Sequence, residues 1–260
     1  MAVDLFTIGK FTVHGYGLMI GLGFIIAVLL ACKKAKDKGL SADHLTNIAL
    51  YVLVIGFLGG KLLFIIVNFA AFIKNPLAVI GSEGFVVYGG VITGVLSIFA
   101  YCHLKKINSL EYLDLIGVYV PINQAFGRIG CFMAGCCYGR QTDSFLGVVF
   151  PEGSFAPAGV KVYPTQLFMS AGDFIIFAVL LYYYEKKRKK AGMVAALYLI
   201  MYSIGRFLIE FIRNDERGTV GILSTSQFIA IFIAAFGALL AYCINKKNDV
   251  QSAESDLKEE

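Results

Sequence analysis

Seven long apolar runs constrain the fold of this chain more than any other feature. Each run holds about 17 to 25 mostly apolar residues, the length that an α-helix needs to cross the hydrocarbon layer of a membrane. The runs cover residues 15–32, 46–70, 85–102, 112–132, 164–184, 192–212 and 226–244. The chain is also 58% hydrophobic, above the roughly 45 to 50% of soluble domains. We therefore predict an all-α integral membrane protein with seven transmembrane helices.

Basic residues are concentrated in alternate connections between these runs. They follow the first, third, fifth and seventh runs, as Lys33, Lys34, Lys36 and Lys38, then Lys105 and Lys106, then Lys186, Lys187, Arg188, Lys189 and Lys190, and finally Lys246 and Lys247. Positively charged connections remain in the cytoplasm. The pattern therefore predicts that the N-terminus is outside and the C-terminus is cytoplasmic. The net charge of +5 comes from basic residues clustered beside helix ends, as membrane topology predicts. This distribution argues against nucleic-acid binding.

Short connections between the runs predict a single domain. We expect residues 1–245 to form a seven-helix transmembrane domain and residues 246–260 to form a short polar cytoplasmic tail. The first run follows no basic cluster and leads to more apolar sequence rather than to a small-residue cleavage site. It is therefore predicted to remain attached rather than to act as a cleaved signal peptide.

Residues 127–140 form the most unusual stretch of the chain. They place Arg128, three cysteines and four glycines where the fourth run reaches its outer end. An arginine near hydrocarbon is costly and glycines weaken a helix, so this mixture predicts a functional site. Arginine donates paired hydrogen bonds and keeps its charge, which is typical of phosphodiester binding. At the edge of a membrane, the nearest phosphate to such an arginine is that of a phospholipid headgroup.

The sixth run carries a second group of charges, Arg206, Glu210 and Arg213. Spacings of four and three predict that all three share one helical face, with Glu210 positioning the arginines through an ion pair. The orientation derived from the loops places these residues and Arg128 toward the outer leaflet. The alternative is purely structural: Arg206 pairs with Glu210, and Arg213 marks the membrane interface.

Several uncharged or weakly basic residues are further candidates. Tyr16 and Tyr88 lie beside glycines at the outer starts of two helices, where they either line the site or anchor the chain at the interface. His14 lies just before the first helix and is a candidate base. Gln166 is a polar group within a span and needs a partner, either another helix or a ligand.

The cysteines of this stretch do not have the usual spacing of metal ligands. Cys136 and Cys137 are adjacent, Cys131 lies five residues earlier, and no histidine is near them in sequence. Structural zinc sites commonly use a C-x₂-C spacing. The sequence therefore predicts no metal and no cofactor, and it favours cysteines that pack as small apolar side chains.

Six motifs along the chain, taken in this order, resemble those of the prolipoprotein diacylglyceryl transferases of bacterial membranes. The motifs cover residues 14–18, 59–61, 88–90, 127–139, 163–167 and 205–213. The resemblance implies a multi-pass protein of the bacterial cell (inner or plasma) membrane, with seven helices, an outside N-terminus and an active site toward the outer leaflet. It also implies transfer of a diacylglyceryl group from phosphatidylglycerol to the lipobox cysteine of a secreted preprolipoprotein, with release of glycerol 1-phosphate.

In the pattern of this family, Arg128 and Arg206 hold phosphatidylglycerol, supported by Tyr16, Glu210 and the signature glycines. The predicted catalytic residues are Arg128, Arg206, Tyr88, His14 and Tyr16. The predicted substrate-binding residues are Arg128, Arg206, Glu210, Arg213, Gly89, Gly90, Gly127, Gly130, Gly139 and Gln166.

The chain also departs from the family at six positions. The family usually carries asparagine, a polar residue and glutamate where this chain has Cys131, Ala134 and Cys136. It has histidine at the positions of Tyr88 and Tyr163 and glutamate at that of Met169. These changes affect the half of the site that handles the proton and the acceptor. Two alternatives follow: a related membrane enzyme that passes the same lipid to another acceptor, or a lipid-binding or transport protein without chemistry.

Overall fold

The computed structural model describes residues 4–8, 11–82, 84–214 and 218–259, and most of them are helical. The helices of this part of the chain are α1 Gly15–Asp37, α2 Ala42–Val67, α3 Phe69–Lys74, α4 Pro76–Gly81, α5 Val87–Lys105, α6 Ser109–Ala134, α7 Thr165–Lys186, α8 Met193–Ile209 and α9 Thr225–Glu259. Short strands form three antiparallel pairs: β1 Asp4–Ile8 with β2 Phe11–His14, β3 Val148–Val149 with β4 Lys161–Val162, and β5 Thr219–Val220 with β6 Leu223–Ser224. These strand pairs were not predicted.

Among the described residues, five helical segments are long and apolar enough to cross a membrane. They are α1, α2, α5, α7 and residues 225–246 of α9. Only 17% to 33% of each span is buried within the chain, so most of its apolar surface faces outward. Water would strongly disfavour such a surface, and the prediction of a helical membrane protein is confirmed. The fourth and sixth predicted spans lie in α6 and α8, which are not among the five. Seven crossings and their orientation stay a prediction.

One compact unit consists of residues 31–113, and its main contact joins α2 to α5 through glycines. A Cβ atom on Gly89 would lie 2.4 Å from the carbonyl oxygen of Gly59, and one on Gly90 would lie 2.9 Å from that of Gly56. The hydroxyl of Thr93 donates to the carbonyl of Ile55 across the same contact. Helix backbones approach this closely only where side chains are absent.

The other unit consists of residues 1–30 and 114–260. Here α1 approaches α6 at two glycines. A Cβ atom on Gly23 would lie 2.6 Å from the Cβ of Phe126, and one on Gly130 would lie 3.1 Å from the backbone of Tyr16. This contact brings the N-terminal turn of α1 to the end of α6, where the signature residues begin.

Asp114, near the start of α6, holds the beginning of α8. The carboxylate is fully buried and accepts hydrogen bonds from the backbone nitrogens of Gly192 and Ala195, at 2.8 and 2.9 Å. It also forms an ion pair with Arg188 at 2.8 Å. The side chain therefore satisfies unpaired N–H groups at the α8 N-terminus, where a negative charge is also favoured by the helix dipole.

Most predicted helix limits agree with the structure to within a few residues. The first helix begins at Gly15, and α6 contains the predicted 112–132 span. The second run ends early, because Asn68 separates α2 from α3. The helix α9 continues into the polar tail as far as Glu259.

Candidate active site

The site is built around a reversal of the chain after α6. Gly135 has a φ of +75° and Cys137 a φ of +64°, so the chain turns back immediately after the helix. The backbone of Gly139 is packed closely against the segment after α8, and a Cβ atom there would be 2.8 Å from the carbonyl oxygen of Ile212. Its backbone nitrogen donates to the carbonyl of Tyr163 at 2.8 Å. The signature loop, residues 135–140, is thus fixed between the segment that leads into α7 and the segment that follows α8.

Arg213 lies in the segment after α8 rather than on a helix. The helix α8 ends at Ile209, and Arg213 forms an isolated β-bridge with Gly139. The prediction that Arg206, Glu210 and Arg213 share one helical face is therefore wrong for Arg213. Its guanidinium is buried, donates to the sulfur of Met169 at 3.7 Å, and interacts with Cys137.

Arg206 and Glu210 form the predicted ion pair. The Nη1 atom of Arg206 donates to a carboxylate oxygen of Glu210 at 2.6 Å, and both side chains are about nine-tenths buried. The Nη2 atom donates to the hydroxyl of Ser226 in α9 at 2.7 Å. This pair connects the end of α8 to the start of α9, and its prediction is confirmed.

Arg128 lies at the centre of a cluster of polar groups near the end of α6. It is within electrostatic range of Cys131, Cys137 and Arg213. Tyr16, at the N-terminal turn of α1, is within electrostatic range of Arg128 and the same cysteines. The arrangement places two positive guanidinium groups, those of Arg128 and Arg213, in one partly dehydrated region. Like charges held this close favour an anion between them.

Two cavities lie in this region, one beside Arg213 and the other beside Arg206. The larger has a volume of about 290 Å³ and is lined by residues that include Arg140, Arg213 and Glu210. The smaller has a volume of about 90 Å³ between α7 and α8, and its lining includes Arg206 and Asp173. The Oδ2 atom of Asp173 is buried and has no hydrogen-bond partner among the described residues. The larger cavity is therefore mainly polar, whereas the smaller one has apolar walls with two charged groups.

Two residues at the start of α7 hold the signature loop from behind. Gln166 donates from Nε2 to the carbonyl of Cys136, and Thr165 donates from Oγ1 to the carbonyl of Cys137, each at 2.6 Å. Both side chains are fully buried. Gln166 thus finds a backbone partner, and its predicted contact with substrate stays a prediction.

The three cysteines form one sulfur cluster with unequal acidities. Hydrogen bonds from Cys131 and Cys136, together with the nearby guanidinium of Arg213, lower the pKa of the Cys137 thiol. Hydrogen bonds to Cys131 and Cys137, together with burial, raise the pKa of the Cys136 thiol. The guanidinium of Arg213 therefore favours the ionised form of the Cys137 thiol.

The remaining predicted residues are distributed between the two units. Tyr88 lies at the start of α5 in the 31–113 unit and is half exposed, while Gly89 and Gly90 pack against α2. His14 ends β2 in the other unit, with its side chain exposed. Gly127 lies on α6, where a Cβ atom would lie 3.8 Å from Ile20 of α1. The structure gives these glycines a packing role, and their predicted contacts with substrate stay predictions.

A model of the family described as prolipoprotein diacylglyceryl transferase matches residues 4–243, which is nearly the whole chain. The chain belongs to this family. The prolipoprotein diacylglyceryl transferase match includes both arginine groups and the signature loop.

Relatives of the family confirm the assignment at high identity. The chain is 47% identical over 249 residues to the phosphatidylglycerol–prolipoprotein diacylglyceryl transferase 2 of Clostridium perfringens, covering 95% of this chain and 96% of the relative. It is 45% identical over 235 residues to the corresponding transferase of Clostridium tetani, covering 90% and 94%. It is 33% identical over 246 residues to that of Clostridioides difficile, covering 94% and 95%. The chain is therefore a transferase of the membrane, and the alternative of a transporter without chemistry is not supported.

Sequence reasoning missed several residues that build this diacylglyceryl transferase site. Thr165 adjoins Gln166 in the same motif, and Arg140 adjoins Gly139, so both had a local signal. Ser226 had none, because its partner Arg206 is 20 residues away along the chain. Only the folded structure brings these groups together.

Proposed function

We propose that this chain moves the diacylglyceryl group of phosphatidylglycerol to the lipobox cysteine of a secreted preprolipoprotein. The proposal rests on the family and on the activity of its relatives. One observation supports it at the level of the site: Arg128, near the end of α6, and the buried Arg213 lie within electrostatic range of each other. A phosphodiester anion is the complementary ligand for two guanidinium groups.

The three arginines have different roles in binding this lipid. Arg128 and Arg213 bind the phosphate oxygens, while Arg206, fixed by Glu210 and Ser226, presents its charge to the smaller cavity. Because Glu210 and Ser226 already orient Arg206, little reorganisation is needed when lipid enters. Preorganised donors of this kind contribute most where negative charge develops during the reaction.

The reaction exchanges one bond at the glycerol carbon for another. The thiolate of the acceptor cysteine attacks the glycerol carbon that carries the phosphate, and a carbon–sulfur bond forms. The carbon–oxygen bond breaks, and glycerol 1-phosphate leaves with the electron pair. The arginines stabilise the charge on the departing phosphate oxygens.

The acceptor thiol must lose its proton before or during this attack. Of the three predicted catalytic residues that could accept it, His14 carries an imidazole, the side-chain type that most often serves as a general base, whereas Tyr16 and Tyr88 carry phenols. We assign the proton to His14, which is exposed and lies two residues before Tyr16. Tyr16, beside Arg128 and the cysteines, is assigned a positioning role.

The site faces the outer leaflet of the bacterial cell membrane in this proposal. The basic connections support it, because they place the ends of α6 and α8 on the side opposite the lysine clusters. Secreted preproteins emerge on that side with their lipobox cysteine close to the membrane surface. The same orientation has seven crossings, with α6 and α8 as the fourth and sixth.

The test is a reconstituted transfer reaction. Purified protein is mixed with phosphatidylglycerol and a synthetic lipobox peptide, and mass spectrometry detects the diacylglyceryl adduct on the peptide cysteine. We expect an adduct that disappears in Arg128→Ala and in a peptide whose cysteine is replaced by serine. The matched control is Lys105→Ala, which removes an exposed cation at the end of α5 and should retain activity.

Failure would be equally informative. If a relative produces the adduct under the same conditions and this chain does not, the acceptor assignment is wrong. A search with other thiols, using the same lipid, would then identify the alternative acceptor.

A further inference from the structure

The reversal after α6 brings the sulfur of Cys131 close to those of the adjacent Cys136 and Cys137. The backbone nitrogen of Cys136 donates to the carbonyl of Cys131 at 3.1 Å, which folds the loop back over the last turn of the helix. The Sγ atoms of Cys131, Cys136 and Cys137 consequently all lie within 4.8 Å of one another. The spacing along the chain gave no indication of this convergence.

The backbone that carries these sulfurs is held from several sides. The carbonyls of Cys136 and Cys137 accept hydrogen bonds from the buried side chains of Gln166 and Thr165. A Cβ atom on Gly135 would lie 2.7 Å from the Cβ of Ser154, so the turn is also packed from the outside. Positive φ at Cys137 is unfavourable for a residue with a side chain, and it persists only where the surroundings enforce it. The cluster is therefore preorganised.

The distances between the sulfurs match what a thiolate-bound cation requires. With a zinc–sulfur distance of about 2.3 Å, three thiolates around one cation lie about 3.8 to 4.0 Å apart. The observed limit of 4.8 Å leaves only a small contraction. Charge also favours binding, because three thiolates and a divalent cation leave one negative charge beside Arg128 and Arg213.

We propose that Cys131, Cys136 and Cys137 form a three-thiolate site for a soft divalent cation of the zinc class. Such a cation takes three protein ligands and keeps a fourth position for water or an anion. A disulfide would use only two of the sulfurs, and a bond between adjacent cysteines is strained. The metal site uses all three, and it does not depend on the transfer reaction.

The test uses the full chain with Cys32, Cys102 and Cys243 replaced by alanine, so that the only thiols left are those of the cluster. The protein is reduced, freed of reductant without oxygen, and titrated with Cd²⁺ alone. We expect a thiolate-to-metal absorption band in the ultraviolet that saturates at one cation per chain and is lost when excess EDTA is added.

Single substitutions in that background test the ligands and the residue that supports their loop. Cys131→Ser, Cys136→Ser and Cys137→Ser should each weaken binding at least about 10-fold, while Gln166→Ala, which removes a support of the loop, should weaken it by about 10- to 100-fold. Circular dichroism and elution volume check that each variant folds.

Two results would overturn the proposal. One is the absence of a band in the folded background protein, or a band that survives all three serine substitutions. The other is reduced protein that binds no Cd²⁺ but loses two hydrogens in air, as measured by intact mass, because the cluster would then be a disulfide-forming pair with a spare thiol.

Discussion

At the scale of single residues, the site depends on where positive charge is fixed and what compensates it. Arg206 is paired with the carboxylate of Glu210, whereas Arg128 lies within electrostatic range of the carboxyl group of Asp173, of two thiols and of Arg213. The arginines therefore differ in their electrostatic surroundings, although the sequence presents them as similar members of two motifs.

Arg128→Lys is expected to lower kcat/KM for peptide lipidation by at least about 100-fold. One ammonium group cannot reproduce the paired donors of the guanidinium, and loss of a donor to a developing oxyanion has effects of this size. Transfer to the lipobox peptide is measured by mass spectrometry beside Lys105→Ala. Near-normal activity of the lysine variant would remove Arg128 from phosphate binding.

Glu210→Gln is expected to lower the free energy of unfolding by about 3 kcal/mol, because it leaves the buried guanidinium of Arg206 without its carboxylate. Ser226→Ala removes one hydrogen bond from the same guanidinium and should cost about 1 kcal/mol. Thermal unfolding in detergent compares the two variants. Equal effects would mean that the ion pair adds little beyond hydrogen bonding.

At the scale of helices, close contacts through glycine decide which elements can pack. Gly89→Ala is expected to destabilise the protein by about 1 to 3 kcal/mol, because the added methyl group would meet the backbone oxygen of Gly59. Gly21→Ala in α1 is the matched control. It has open space around it and should be neutral or stabilising by up to about 1 kcal/mol. Melting temperatures in one detergent measure both, and a neutral Gly89 variant would contradict the packing role.

Asp114→Asn tests how the start of α8 is held. The substitution weakens the bonds to Gly192 and Ala195 and leaves Arg188 without a charged partner, so we expect a loss of about 3 kcal/mol. Asp37→Asn removes an exposed pairing with Lys34 and should change stability by less than about 1 kcal/mol. Similar melting temperatures for the two variants would show that Asp114 is not a structural support.

Local sequence patterns predicted the helices well and their tertiary partners poorly. The starts of α1 and α7 follow from the change between polar and apolar residues at Gly15 and Thr165. The end of α8 does not, because Phe211 and Ile212 continue the apolar pattern beyond Ile209. That helix stops where the signature loop takes its backbone hydrogen bonds, and no local pattern contains that information. The same reason hid the position of Arg213.

At the scale of the whole molecule, the distribution of lysines makes a prediction about the membrane. Cys243, exposed near the cytoplasmic end of the last span, should react with a membrane-impermeant maleimide only after cells are made permeable. A cysteine introduced at Lys74, in a connection assigned to the outside, should react in intact cells. Labelling is followed by gel shift in a chain with the other cysteines replaced. Reversed accessibility would invert the proposed orientation.

The sizes of the two cavities limit what the protein can recognise in a lipid. A volume of about 290 Å³ is at the lower end for enclosing a small organic molecule, and the neighbouring space of about 90 Å³ is smaller still. In the proposed function, a headgroup would occupy such a space, and the two fatty acyl chains would stay among those of the surrounding lipids. Selectivity would then reside in the headgroup, and an organism could alter the length and unsaturation of its membrane lipids without losing substrates of this enzyme.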